Sequence, residues 1–197
     1  MMLFPFLLYS LELFVGFGTP DKEIRALESL YNSTDGEQWK WKNEILFGSR
    51  WSFPQASAHD PCSDDGRTWQ GITCSSRPGI CQLQECHIVE ISLVEYGLNG
   101  TLPNVFSQLT GLTSLQINSN KNLFGSLPIS VGSLVRLQYL DIAENRLSSS
   151  LPSSLGSLAQ LKDFVIDDNV FTAPFLSHLI NSIGSQSCNC NEMISKD

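Results

Sequence analysis

Apolar residues return through the second half of the chain in a fixed compound rhythm. Four segments superpose, beginning at Ile88 (IVEISLVEYGLNGTLPNVFSQLTG), Leu112 (LTSLQINSNKNLFGSLPISVGSLVR), Leu137 (LQYLDIAENRLSSSLPSSLGSLAQ) and Leu161 (LKDFVIDDNVFTAPFLSHL), at intervals of 24, 25 and 24 residues. The extra residue of the second is absorbed around Lys121. The fourth and sixth residues of every copy are apolar, the spacing of a short strand with one buried face. A ninth-position asparagine, Asn120, Asn145 or Asn169, can bond neighbouring backbone where the chain turns, forming a ladder. Tyr96 stands there in the first copy, leaving that backbone to the segment ahead of it. No single copy can close a core around its own leucines, so the copies must stack, and roughly three are needed for stability. Four copies therefore lean on their flanks.

Residues 1–18 hold a dense apolar run, Leu3-Phe-Pro-Phe-Leu-Leu-Tyr, continued by Leu11 and Leu13-Phe-Val. It reads as a secretory signal, with Gly16 and Gly18 as the small residues before a cleavage point. Its n-region lacks Lys and Arg and Glu12 interrupts it, so an uncleaved anchor and a misread start codon stand as alternatives. No other stretch approaches the roughly 18 consecutive apolar residues of a membrane span. Thr19-Pro20-Asp21 then offers a capping hydroxyl, a proline at the first helical position and an acid on the positive end of the dipole. Ile24, Leu27, Leu30 and Tyr31 predict an amphipathic helix ending at Asn32-Ser-Thr-Asp-Gly. A second helix is expected over 174–183.

The segments Leu98-Asn-Gly-Thr-Leu-Pro, Leu123-Phe-Gly-Ser-Leu-Pro and Leu147-Ser-Ser-Ser-Leu-Pro resemble the L-x-G-x-L/I-P of plant-type leucine-rich repeat proteins, with Ser149 replacing the glycine in the third. Ahead of them, LESLYNSTDG (27–36), Trp39, Trp41, Asp60-Pro-Cys62 and Trp69-Gln-Gly-Ile-Thr-Cys74 resemble that family's N-terminal cap. The resemblance implies an α/β fold: a short right-handed horseshoe solenoid with a helical, disulfide-bonded cap. It divides the chain into a signal peptide (1–18), a cap domain (19–87), repeats at 88–111, 112–136, 137–160 and 161–179, and a C-terminal cap or truncated tail (180–197). It further implies a non-catalytic extracellular module binding proteins, peptides or polysaccharides, as a receptor-like ectodomain in signalling or defence. A stand-alone secreted inhibitor of a foreign hydrolase, or a structural extracellular scaffold, is the alternative.

The same resemblance pairs Cys62 with Cys74, a loop contributing about 3 kcal/mol in the chain-entropy picture. Cys81 and Cys86 belong to an insertion after Cys74 that departs from the family pattern, and an oxidising compartment predicts a second local disulfide there. Cys188 and Cys190 lie past the last repeat, and stacked strands about 4.8 Å apart hold them beyond disulfide reach of the cap; an external partner or further residues would serve them. His59, His87 and His178 are scattered and there is no C-x-x-C, so neither metal nor cofactor is expected. Asn32-Ser-Thr and Asn99-Gly-Thr are the only N-glycosylation triplets. Secretion would place glycan on at least one, Asn32 first.

Charge narrows the partner. Twenty acids against twelve Lys and Arg give a net charge of -8, the wrong sign for holding phosphates, so nucleic acid is excluded as a partner. The chain lacks G-x-S-x-G, G-x-x-x-x-G-K and H-E-x-x-H motifs, and a shallow wall of carboxylates lacks the enclosed pocket that catalysis requires. The third, fifth, seventh and eighth residues of each copy are expected to point outward on a concave face. Glu90, Ser92, Glu95, Gln116, Asn118, Tyr139, Asp141, Glu144, Asp163, Val165, Asp167 and Asp168 form the expected ligand surface, with Val94, Ser114, Ser119 and Ala143 completing the array. Every acid of residues 88–179 falls in that array, while Lys121, Arg136, Arg146 and Lys162 do not. Like charge gathered on a concave wall speeds capture of an opposite charge, which predicts a basic protein or peptide ligand, with Tyr139 as the aromatic anchor. A merely solvating acidic face is the competing reading, and calcium at Asp163, Asp167 and Asp168 a third. Membrane attachment would need a segment outside the chain or an uncleaved signal.

Overall fold

The computed structural model describes residues 18–53, 60–62, 68–76, 81, 85–172 and 188–189. The signal expected over 1–18 apart from its last residue, the helix expected over 174–183, and His59, His178 and Cys190 lie outside the described residues. The cap runs through helix α1 (Asp21–Ser33) and the short helix α2 (Glu44–Phe47) to strand β1 (Ile72–Cys74). Each repeat then supplies two strands: β2 (Ile88–Ser92) and β3 (Asn99–Thr101), β4 (Ser114–Gln116) and β5 (Asn122–Ser126), β6 (Tyr139–Asp141) and β7 (Arg146–Ser149), β8 (Asp163–Val165) and β9 (Val170–Phe171). Strand β10 (Cys188–Asn189) follows.

The first strands form a six-stranded sheet in the order β1-β2-β4-β6-β8-β10, parallel except where β1 runs antiparallel to β2. The second strands form a parallel sheet β3-β5-β7-β9, which the leucine spacing did not predict. Its first three strands overlap the L-x-G-x-L-P segments and their Ser149 variant, while β9 comes from a copy without that motif. Gly100, Gly125 and Ser149 occupy the same place in successive copies, and all three take a positive φ, 133°, 84° and 71°. That place favours glycine, and Ser149 adopts it with a side chain.

Between the sheets the repeat positions form continuous apolar columns. Ile88, Leu112, Leu137 and Leu161 head one, Ile91, Leu115, Leu140 and Phe164 a second, and Leu93, Ile117, Ile142 and Ile166 a third, all buried. Each such side chain contributes about 1.5–3 kcal/mol relative to exposure. The Leu-Pro leucines, Leu102, Leu127 and Leu151, close the column behind the second sheet. The solenoid is a core one residue thick per layer, repeated.

The cap seals the first layer. Helix α1 buries Ala26, Leu27 and Leu30 together with Glu23, leaving Ile24 and Tyr31 only half-buried, so its inner face is turned from the purely apolar stripe. The rotation has a polar reason: the Glu23 carboxylate accepts the Ile88 N–H at 2.8 Å and lies 2.7 Å from His87 Nδ1. Thr19 does not cap the helix. Pro20 is the N-cap residue, and the Thr19 hydroxyl donates instead to Asp60 Oδ1 at 2.6 Å, a partner 41 residues away. All four tryptophans join Tyr31, Phe53 and Tyr96 in one aromatic cluster. Buried Gln70 ties the cluster down, its amide donating to the carbonyls of Lys42 and Gly48 at 2.9 Å each. Disulfides join Cys62 to Cys74 and Cys81 to Cys86.

Candidate binding surfaces of the solenoid

Parallel register sets the wall of the six-stranded sheet in straight rows. Glu90, Ser114, Tyr139 and Asp163 lie side by side, as do Ser92, Gln116, Asp141 and Val165. The wall extends onto the cap, where Thr73 of β1 pairs with Glu90 and its hydroxyl donates to Glu90 Oε2 at 3.1 Å. Glu90 Oε1 also accepts from Gln116 Nε2 at 3.0 Å. At the other end β10 pairs Asn189 with Val165, so the wall continues one strand past the four repeats.

The centre of the wall is Tyr139 and Asp141. The Tyr139 hydroxyl lies 3.5 Å from Asp141 Oδ2, and Asp141 Oδ1 accepts the Ala143 N–H at 3.1 Å. Burial raises the Asp141 pKa above the ordinary carboxylate value, with Glu144 adding to the rise and the two hydrogen bonds opposing it. Burial also raises the Tyr139 phenol, with the Asp141 and Asp163 charges acting in the same direction.

Behind the wall the asparagines hold the turns. Asn120 Oδ1 accepts the N–H groups of Gly97 and Leu98 at 2.8 and 3.1 Å, and its amide donates to the carbonyls of Leu93 and Ile117. Asn145 donates to Ile117 and Ile142 and accepts the Asn120 N–H at 2.9 Å. Asn169 donates to Ile142 and Ile166 and accepts from Leu147. In the first copy Tyr96 reaches back to Gln70 at 3.3 Å, and its carbonyl accepts the Lys40 N–H at 2.6 Å, so the cap supplies the missing rung.

The eighth positions depart from the expected wall. Glu95, Ser119, Glu144 and Asp168 lie past the strand ends with φ of 62°, 59°, 53° and 53°. The left-handed conformation breaks the strand's alternation and turns these residues onto the flank of the solenoid. There Glu95, Ser119 and Glu144 line a trough of about 730 Å³ with Lys40, Lys121 and Asn99. A smaller depression of about 380 Å³ continues it to Arg146 and Asp168. The separation of acids from bases seen in the sequence therefore holds for the wall, where Glu90, Asp141, Asp163 and Asp167 remain, and fails on the flank. Lys40, Asp35 and Asn99 were not singled out for this surface by the repeat pattern. The signal available was the asparagine after the eighth residue in the last three copies, which points to a turn there. Asp163, Asp167 and Asp168 do not converge on a cation site: among the described residues no group of three His, Cys, Asp or Glu is placed to hold a metal.

No protein-family model matches the chain. It is 34% identical over 110 residues to the leucine-rich repeat receptor-like serine/threonine-protein kinase RGI4 of Arabidopsis thaliana, covering 55% of this chain and 9% of that protein. It is 31% identical over 154 residues to a probable LRR receptor-like serine/threonine-protein kinase of the same plant, covering 78% of this chain and 14% of the relative. The chain thus spans a small part of the curated relatives it matches. Among solved structures, the BIR2 ectodomain from Arabidopsis thaliana superposes with a TM-score of 0.63 at 22% identity, covering 87% of this chain and 79% of that one. The ectodomain of the Arabidopsis thaliana receptor kinase GASSHO1/SCHENGEN3, in complex with Casparian strip integrity factor 2, superposes at 0.53 and 22% identity over 81% of this chain and 17% of that one. The chain is a plant-type leucine-rich repeat protein, a capped solenoid of the kind found in receptor-like ectodomains. Among the described residues no helix is long and apolar enough to cross a membrane.

Proposed function

We propose that the chain is an extracellular, non-catalytic binding module that takes a basic peptide or protein segment on the wall of its six-stranded sheet, as the ligand-reading part of a receptor-like protein. One observation carries the reading: Tyr139 stands in register with Asp163 and within 3.5 Å of Asp141, on a wall whose other charged residues, Glu90 and Asp167, are also acids. A half-buried aromatic ring beside carboxylates suits a lysine or arginine side chain, which offers an apolar stem to the ring and a cation to the acids. The likeness to receptor-like kinases and to an ectodomain solved as a complex supports a partner-binding role. Catalysis would fall outside this module.

The test is selection from a random peptide library displayed against the folded chain. Recovered peptides rich in Lys and Arg, whose affinity falls with salt and is lost in Tyr139→Ala and Asp163→Asn, fit the proposal. Recovered peptides with no excess of basic residues, or affinity unchanged in those variants, would exclude this wall as the basic-ligand site.

A further inference from the structure

We infer that the flank trough is the seat of an N-linked glycan carried by Asn99, whose first sugars lie along the left-handed turns. The inference rests on the extracellular reading above, because the sugar is added only in the secretory path. Asn99 is exposed, begins the triplet Asn99-Gly100-Thr101 and borders the trough. Its amide is held within 3.4 Å of Asp35 Oδ2 on the same rim. The other triplet begins at Asn32 on α1, which does not border that trough.

The mixed charge of the trough disfavours an occupant of a single sign. An anion would meet Glu95, Glu144 and Asp168, and a cation would meet Lys40, Lys121 and Arg146. None of these six is in an ion pair among the described residues. Carboxylates only accept hydrogen bonds and ammonium groups only donate them, whereas a sugar hydroxyl does both without charge. An uncharged polyhydroxylated chain is the ligand class that satisfies both walls. Spacing favours the same class: the turn residues recur once per repeat, at roughly the 4.8 Å strand separation, whereas an extended peptide advances about 3.3 Å per residue.

The trough is also rigid. The N–H of Glu95 donates to the Asn118 carbonyl, that of Ser119 to Ala143 and that of Glu144 to Asp167, at 2.9 to 3.2 Å. Each turn is thereby fastened to the next copy. Gly97 lines the floor, where an added Cβ would meet the Lys40 stem at 3.3 Å. A preformed, fixed polar surface orders a tethered ligand at low entropic cost, because the covalent link supplies a high effective concentration.

The experiment secretes the full chain from a eukaryotic host, maps glycan occupancy by mass spectrometry, and measures acylation rates of Lys40 and Lys121 against Lys22 on the outside of α1. Thr101→Ala removes the triplet without altering a trough residue, and Thr101→Ser keeps it. The expected result is glycan on Asn99, with Lys40 and Lys121 acylated severalfold more slowly in the native and Thr101→Ser proteins than in Thr101→Ala, and Lys22 unchanged. Equal acylation in all three proteins overturns the inference. So does a secreted chain bearing glycan on Asn32 and none on Asn99, an outcome that leaves the extracellular reading intact. A chain that never enters the secretory path overturns both.

Discussion

The carboxylate of Glu23, fully buried in the first turn of α1, lies 2.7 Å from His87 Nδ1 and takes the backbone N–H of Ile88 at 2.8 Å. One acid thus joins the cap helix to the first strand of the solenoid. Edge backbone groups of a stack have no neighbouring repeat to bond, and here a side chain of the cap serves as that neighbour. Replacing Glu23 with Ala leaves the Ile88 N–H buried without a partner, a loss of about 1–3 kcal/mol. Gln restores an acceptor and is expected to cost less than Ala. Denaturant unfolding of both variants checks the order, and equal midpoints for Glu23→Ala and the parent would show that the link does not hold the cap.

Asn145 is the middle rung of the ladder and is buried. It bonds backbone on two successive repeats, while Asn169 is only partly buried. Asn145→Ala removes partners from the Asn120 N–H and from the Ile117 and Ile142 carbonyls together. The expected loss exceeds that of Asn169→Ala and is about 2 kcal/mol or more, given the cost of each buried unpaired group. Comparing the unfolding midpoints of the two variants tests the ranking.

The leucine columns and the asparagine turns were legible because the first are written four times and the second three, at nearly one spacing, so the copies check one another. What escaped was written once or depends on distant partners. Thr19 reads as a helix cap until Asp60 takes its hydroxyl, and nothing local to Glu23 marks it as the acceptor of the Ile88 N–H, 65 residues on. The wall was read to include the eighth position of each copy, which fails at Glu95, Ser119, Glu144 and Asp168 because their φ is positive. Most of the second sheet was present as L-x-G-x-L-P, but strands of two to five residues carry too little apolar alternation to declare themselves. Strand β10 has no repeat signature and is fixed only by the open edge of β8.

Ser149 takes the left-handed place that Gly100 and Gly125 hold in the two preceding copies. A side chain there costs about 1–2 kcal/mol, and glycine returns part of that through its freer unfolded chain. Ser149→Gly is therefore expected to raise stability by up to about 1 kcal/mol. The opposite exchange, Gly100→Ala, drives a Cβ into the Ser33 carbonyl where the cap helix ends, and should destabilise clearly. Thermal unfolding of both variants gives the signs; a less stable Ser149→Gly would mean that the strain is absent.

Asp141 couples the binding wall to stability. Burial raises its folded pKa above the unfolded value of about 3.9, so the folded chain holds the proton more tightly. That contribution favours folding below the unfolded pKa and is lost as pH rises through the raised folded value. At neutral pH the charged side chain is thus a cost to the fold. Asp141→Asn keeps an acceptor for Ala143 and a partner for Tyr139 while removing the charge. It should be more stable than the parent at pH 7, with the difference closing as pH falls below the carboxylate range. The same variant should bind a basic peptide more weakly, since a charge retained at a cost to stability is retained for its ligand. Urea midpoints at pH 7 and pH 3, beside the affinity for a selected basic peptide, measure both effects. A variant less stable at pH 7 would show that Asp141 serves the fold through its charge, and unchanged affinity would remove it from the binding wall.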